Sequence, residues 1–148
     1  INAADASDDL LTAVLEESLR LYPPVWGLAR WVVNDDVMDD FSIENGAMVI
    51  LGLHLANHDP ARWENATDFE PERFMKSNAN CLEKPAFAFG AGPHTCIGQH
   101  LAMKVLRAAV PRVCARYEIV LQSPDRTTPY PGFTLYPQDG AYADLRAR

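Results

Sequence analysis

The sequence predicts a mainly α-helical chain with small antiparallel β-sheets, an α+β arrangement. Three observations carry that expectation. Two apolar stripes recur at helical spacing, one near each end of the chain. Between and after them stand short apolar runs bounded by Asn, Asp, Gly and Pro, each long enough only for a small sheet. The middle stretch 64–85 has no periodicity at all.

The elements follow in order. Ser7-Asp8-Asp9 reads as an N-cap followed by acids at the positive end of a helix dipole. Leu10, Leu11, Val14, Leu15 and Leu19 give the apolar face of that helix, and Pro23-Pro24 ends it near Tyr22. Leu28-Ala29-Arg30-Trp31-Val32-Val33 reads as a strand with a turn at Asn34-Asp35-Asp36. Residues 37–51 read as an antiparallel unit turning at Asn45-Gly46. Residues 53–58 fit either a strand end or a short helix, and Asp59-Pro60 opens a turn over Ala61-Arg62-Trp63. Trp63, Phe69 and Phe74 would anchor the aperiodic stretch as an ordered, packed loop. Leu101, Val105, Leu106, Ala109, Val110 and Val113 predict a helix from about Gly98 to Arg116, which Pro111 should kink or weaken. Tyr117 to Leu121 reads as a strand. Phe133-Thr134-Leu135-Tyr136 and Tyr142-Ala143-Asp144-Leu145 suggest a hairpin around Gln138-Asp139-Gly140.

At 148 residues the chain is long enough for a real core. A net charge of −7 argues against nucleic acid as a partner, because phosphate contacts need a basic surface. The three cysteines, Cys81, Cys96 and Cys114, are odd in number and far apart. They suit a reducing compartment, hence a cytoplasmic location, better than a disulfide scaffold or a zinc site. No apolar run reaches the roughly 18 residues of a membrane span. The chain starts at Ile1 and reads as a piece of something longer, so an anchor elsewhere stays open.

Phe89-Gly90-Ala91-Gly92-Pro93-His94-Thr95-Cys96-Ile97-Gly98 is the stretch with chemistry in it. One reading is a turn before a helix with an inert cysteine. The other is a thiolate stabilised by the free N–H groups and dipole of a helix N-terminus. The glycines would let the backbone approach a flat partner without Cβ clashes. Glu17 and Arg20 stand three apart and share a helix face; such a pair is ordinarily a solvated ion pair of small value.

The pattern Phe-x-x-Gly-x-x-x-Cys-x-Gly, together with Glu17-Ser18-Leu19-Arg20 and Phe69-Glu70-Pro71-Glu72-Arg73-Phe74 in that order, resembles the C-terminal third of the cytochrome P-450 family. The likeness runs from Leu10 to the C-terminus and looks most like bacterial members related to fatty-acid and microsomal-type hydroxylases. It implies that residues 1–148 form the C-terminal haem-thiolate portion of one larger domain, with the N-terminal portion absent.

The resemblance further implies roles. Cys96 would be the axial thiolate on the iron of haem b and the one catalytic residue of this portion. Phe89, Gly90, Ile97 and Gly98 would shape and charge-stabilise its loop. His94 and Arg30 would bind the haem propionates. Glu17, Arg20 and Arg73 would form a buried structural network rather than a proton-transfer group. Val25, Trp26, Gly27 and Leu28 would line the distal pocket, with Gln138, Asp139, Gly140 and Ala141 closing it from another side. A hydrophobic small-molecule substrate follows.

His54 and His58 lack a third ligand at sensible spacing and read as surface or helix-cap residues. Lys84, His100, Lys104, Arg107 and Arg112 read either as a solvated face or as a docking surface for an acidic electron donor, a ferredoxin or flavoprotein reductase. The implied activity is monooxygenation within a full-length or complemented enzyme. Two alternatives stay open: a peroxide-using or rearranging haem-thiolate enzyme, and a non-catalytic haem- or partner-binding fragment.

Overall fold

A computed structural model describes residues 8–75, 86–123 and 127–148. Ser7, Cys81 and Lys84, and with them part of the aperiodic stretch, lie outside the described residues. Helix α1 spans Asp8–Leu21, with Asp8 and Asp9 in its first turn and Arg20 in its last. Both placements complement the helix dipole. Its inner face buries Leu11, Ala13, Leu15 and Leu21. That face also carries Glu17 and Arg20, two charged residues that are fully buried in the core.

Strand β1 (Leu28–Trp31) follows the prolines. The next unit differs from the expectation. Strands β2 (Asp36–Met38) and β3 (Phe41–Ile43) pair with each other across Asp39-Asp40, where Asp39 takes a φ of 52°. Asn45-Gly46 does turn the chain, with Gly46 at a φ of 84°, but it delivers β4 (Met48–Leu51) to β1. The register sets Leu28 opposite Leu51 and Arg30 opposite Val49. The apolar run of β4 therefore belongs to β1 rather than to the hairpin beside it.

Residues 53–58 resolve as a short helix, α2 (Leu53–Asn57). A turn then carries Trp63 into the core, with the Trp63 N–H donating to the Asp59 carbonyl at 3.0 Å. A 3-10 turn at Pro71–Phe74 closes the described part of the loop. Trp63 and Phe74 stack as anchors, ring centroids 5.7 Å apart, whereas Phe69 is exposed.

Helix α3 (Gln99–Arg116) starts at Gly98 and runs on through Pro111. None of its residues is buried. Leu101 and Val105 are 68% and 55% exposed while Leu106 and Val110 are half-buried, so its apolar stripe is only partly covered.

Strand β5 (Tyr117–Leu121) pairs with β8 (Ala143–Ala147), and β6 (Pro129–Pro131) with β7 (Leu135–Pro137). The hairpin expected around Gln138-Asp139-Gly140 does not form. The strand after Gly140 returns to β5, whose unpaired backbone groups it satisfies. All four sheets described are two-stranded and antiparallel.

Residues 22–28 join these parts. The Leu135 N–H donates to the Pro24 carbonyl at 2.8 Å, and the His54 N–H donates to the Trp26 carbonyl at 3.0 Å. The Trp26 indole donates to the Gly132 carbonyl at 2.8 Å. A Cβ on Gly27 would meet the Leu51 carbonyl at 3.3 Å, so glycine lets the chain pass close to β4.

Candidate functional site

Three groups of residues build the site, beginning with the buried ion cluster. Arg20 and Glu17 are both 0% exposed. Arg20 grips the Glu17 carboxylate with two parallel bonds, Nε to Oε2 at 2.7 Å and Nη2 to Oε1 at 2.9 Å. Arg20 Nη1 donates to the carbonyls of Asn57 and Ala66, both at 2.7 Å, and Nη2 reaches the Asp68 carbonyl at 3.1 Å. Arg73 adds Nε to Glu17 Oε1 at 3.1 Å and Nη2 to Glu70 Oε2 at 2.8 Å, while the Glu70 N–H donates to Glu17 Oε1 at 2.9 Å. Trp63 lies against both guanidiniums, 5.2 Å from Arg20 and 5.9 Å from Arg73.

A planar fork suits this geometry because each N–H has a defined direction. Burial by itself would push the Glu17 carboxyl up. The Arg20 hydrogen bonds, the Glu70 N–H and the two positive charges outweigh it and hold Glu17 below the ordinary carboxylate range. The three-apart spacing could equally have described a surface pair. The cluster is instead a clamp between α1 and the irregular loop.

The cysteine loop comes next. The Gly90 N–H donates to the Phe87 carbonyl at 3.1 Å, and the Thr95 N–H to the Gly92 carbonyl at 3.1 Å. The Cys96 N–H donates to the Phe89 carbonyl at 2.8 Å, which closes the loop on itself. Gly90 takes a φ of +74°, and a Cβ there would meet the His94 carbonyl at 3.3 Å. Cys96 is free and exposed, and Ile97 beside it is fully exposed. Helix α3 begins just after Gly98 with no side-chain cap, and its first N–H, that of Gln99, donates to the Cys96 carbonyl at 3.2 Å, which ties the helix start to the cysteine.

The loop faces an open trough. One hollow, about 260 Å³, is lined by Pro24, Val25, Leu28, Leu53, Ala88, Phe89, Gly90, His94 and Cys96. A neighbouring hollow, about 310 Å³, shares Leu28, Leu53, Gly90 and His94, and adds Arg30, Leu51 and Phe87. Cys96 therefore lines one part and Arg30 the other, with His94 in both. Of the distal-pocket residues, Val25 and Leu28 line the trough. Trp26 and Gly27 do not: the first is tied to Gly132 and the second packs on β4. Ala141 lines a separate hollow with Tyr22, Leu121 and Tyr136.

The remaining candidates fall elsewhere. His54 and His58 stack with ring centroids 4.1 Å apart, and His58 Nδ1 donates to the His54 carbonyl at 2.9 Å. Burial, and then the His58 charge, hold His54 below its usual range. On α3, His100 and Lys104 are exposed, Arg107 donates to Thr12 Oγ1 at 2.9 Å, and Arg112 to the Ala108 carbonyl.

Asn57 is the residue that sequence reasoning missed. It is fully buried, with partners 37 and 30 positions away, and no local pattern signals it.

The family model described as Cytochrome P450 matches residues 8–142. Cytochrome P450 72A68 of Medicago truncatula is 35% identical over 140 residues, covering 93% of this chain and 27% of the relative. Cytochrome P450 72C1 of Arabidopsis thaliana is 31% identical over 140 residues, with the same coverage. Among solved structures, a retinoic acid-bound cyanobacterial CYP120A1 aligns with a TM-score of 0.82 at 26% identity, over 94% of this chain and 32% of that one. The chain thus spans about a quarter of the length of these curated relatives.

Proposed function

The chain belongs to the cytochrome P450 family, and on that premise we propose that it forms the thiolate side of a haem monooxygenase site. The family implies haem, and the residues present fit it. Pro24, Val25, Leu28, Leu53 and Phe89 make an apolar surface for a flat macrocycle. An exposed thiol stands at one part of the trough for the iron, and a guanidinium at the other for carboxylates. Gly90, at a φ of +74° where a Cβ would meet the His94 carbonyl, lets the loop turn tightly beside the trough. The exposed Cys96, opening onto the same trough as Arg30 and His94, is the observation that carries this reading.

Haem b, when bound, supplies activation of dioxygen with two delivered electrons and insertion of one oxygen atom into a C–H bond. This chain's residues do the rest of the work on its side. Cys96 would hold the haem iron through its thiolate, and the N–H groups of Ile97 and Gly98 with the α3 dipole would hold its negative charge. Arg30 and His94 would bind the haem carboxylates. Phe89 lines the same hollow as Cys96 and would limit water at the sulfur when haem fills it. Val25 and Leu28 offer an apolar wall to a hydrophobic substrate, while Trp26 and Gly27 fix the backbone that carries them. Glu17, Arg20 and Arg73 move no proton; they hold the loop to α1.

Electrons would come from a ferredoxin or flavoprotein reductase, with His100, Lys104, Arg107 and Arg112 as its docking face. Residues 1–148 would act as one part of a larger domain. The exposed part of the α3 stripe, at Leu101, Val105 and Val113, supports this, because an exposed apolar face calls for a partner surface. No helix among the described residues is long and apolar enough to cross a membrane.

The test is incubation of the whole protein with a reductase, an aliphatic substrate panel and isotopically labelled dioxygen. One labelled atom in the alcohol product and the other in water is expected. Product formed only with peroxide, or no product with any donor, would contradict the monooxygenase reading.

A further inference from the structure

Asn57, the last residue of α2, is fully buried and bonded in two directions. Its backbone carbonyl accepts from Arg20 Nη1 at 2.7 Å, and its side-chain Oδ1 accepts from the Phe87 N–H at 3.0 Å. Phe87 in turn holds the Gly90 N–H, and Phe89, two residues on, holds the Cys96 N–H. The Arg62 guanidinium lies over the Phe87 ring at 4.7 Å, so this residue is fixed by its side chain as well as its backbone. One residue therefore joins the two: its backbone carbonyl holds the buried ion cluster and its side-chain oxygen holds the segment that leads to the thiol.

The other end of the same amide sharpens the point. Asn57 Nδ2 is buried and has no hydrogen-bond partner among the described residues. Burying an unpaired donor costs stability, and an aliphatic side chain of similar volume would avoid that cost. What the amide offers at this position is its oxygen, which accepts from the N–H of Phe87, the residue whose carbonyl holds the Gly90 N–H of the cysteine loop.

On the haem-thiolate reading above, we infer that Asn57 is a positioning residue for Cys96. It passes the rigidity of the Glu17–Arg20 clamp into the loop and fixes the height at which the sulfur meets its partner. Its contribution runs through a hydrogen bond to Phe87, and Asn57 itself touches neither haem nor substrate.

The test uses the haem-loaded whole protein with Asn57→Leu, which fills the space without an acceptor, and Asn57→Asp, which keeps one. Two readouts are taken: the share of the reduced carbon-monoxide complex with thiolate-type absorption, and the rate of haem release to an excess acceptor protein. Asn57→Leu is expected to lower the thiolate-type share and to speed haem release by about 10-fold, the scale of a lost outer-shell contact. Asn57→Asp is expected to restore both toward wild type. Should Asn57→Leu fail to accumulate folded, Asn57→Ala is read the same way. Wild-type behaviour in the Leu or Ala variant overturns the inference, as does equal impairment in the Asp variant. A wild-type protein without any thiolate-type complex overturns the haem-thiolate reading itself, and this inference with it.

Discussion

Removing the Glu17 carboxylate should cost more than any other single change in the clamp. Glu17→Ala leaves Arg20, whose side chain is 0% exposed, facing its former partner's cavity with a full positive charge. Arg73, 12% exposed, loses the same partner but keeps Glu70 and some access to water. Breaking a buried pair from one side costs about 3–5 kcal/mol, because the remaining charge is neither solvated nor compensated. That is a large part of the about 5–15 kcal/mol that holds an ordinary domain together. Arg73→Ala should cost less, about 1.5–3 kcal/mol, the value of hydrogen bonds to a charged group. Urea denaturation of the haem-loaded protein, with haem content measured alongside, separates the two. Glu17→Ala with a wild-type midpoint and full haem content would refute the argument. The depressed Glu17 value adds a pH signature. Its stabilisation is complete above the ordinary carboxylate value of 4.5 and is lost as pH falls through the lower folded-state value. Glu17→Gln should flatten that acid limb.

Other outcomes follow from the same geometry. Gly90→Ala forces a side chain into a positive φ and against the His94 carbonyl, so a loss of about 1–3 kcal/mol and of most haem binding is expected; an unchanged melting temperature and haem content would count against the loop geometry. His54 is held below the ordinary histidine value of 6.5, so the unfolded chain binds its proton first and stability falls as pH drops from about that value through the folded one. His54→Gln should reduce that slope in thermal melts taken across the same pH range. Lys104→Glu should slow electron delivery most at low salt, and a rate unchanged at every salt concentration would move donor docking off α3.

The parts of the site that were legible in the sequence are those built from near neighbours. The Gly90, Gly92 and Pro93 breakers and the stripe after Gly98 lie within one stretch, so the cysteine loop and its helix could be read together. The Glu17–Arg20 pair was legible as a pair but not as buried, because three-residue spacing is the same on a solvated face and inside a core. Its burial depends on carbonyls of Asn57, Ala66 and Asp68, which the chain brings back from far away. Strand pairing failed for a similar reason. Asn45-Gly46 is the stronger turn signal, yet Asp39 tolerates the left-handed region well enough to make the hairpin, which frees β4 for β1. The C-terminal strands form two separate sheets because β5 and β8 seek each other across the intervening hairpin. Asn57 was invisible because both its bonds are long-range.

The central claim rests on one sulfur, and the most direct measurement is the reduced carbon-monoxide difference spectrum of the haem-loaded whole protein, wild type against Cys96→Ser and His94→Ala. The account predicts a thiolate-type band in the wild type, its disappearance in Cys96→Ser, and its survival with weaker haem retention in His94→Ala. A band that survives in Cys96→Ser, or one that vanishes only when His94 is removed, would place the axial ligand elsewhere and contradict the account.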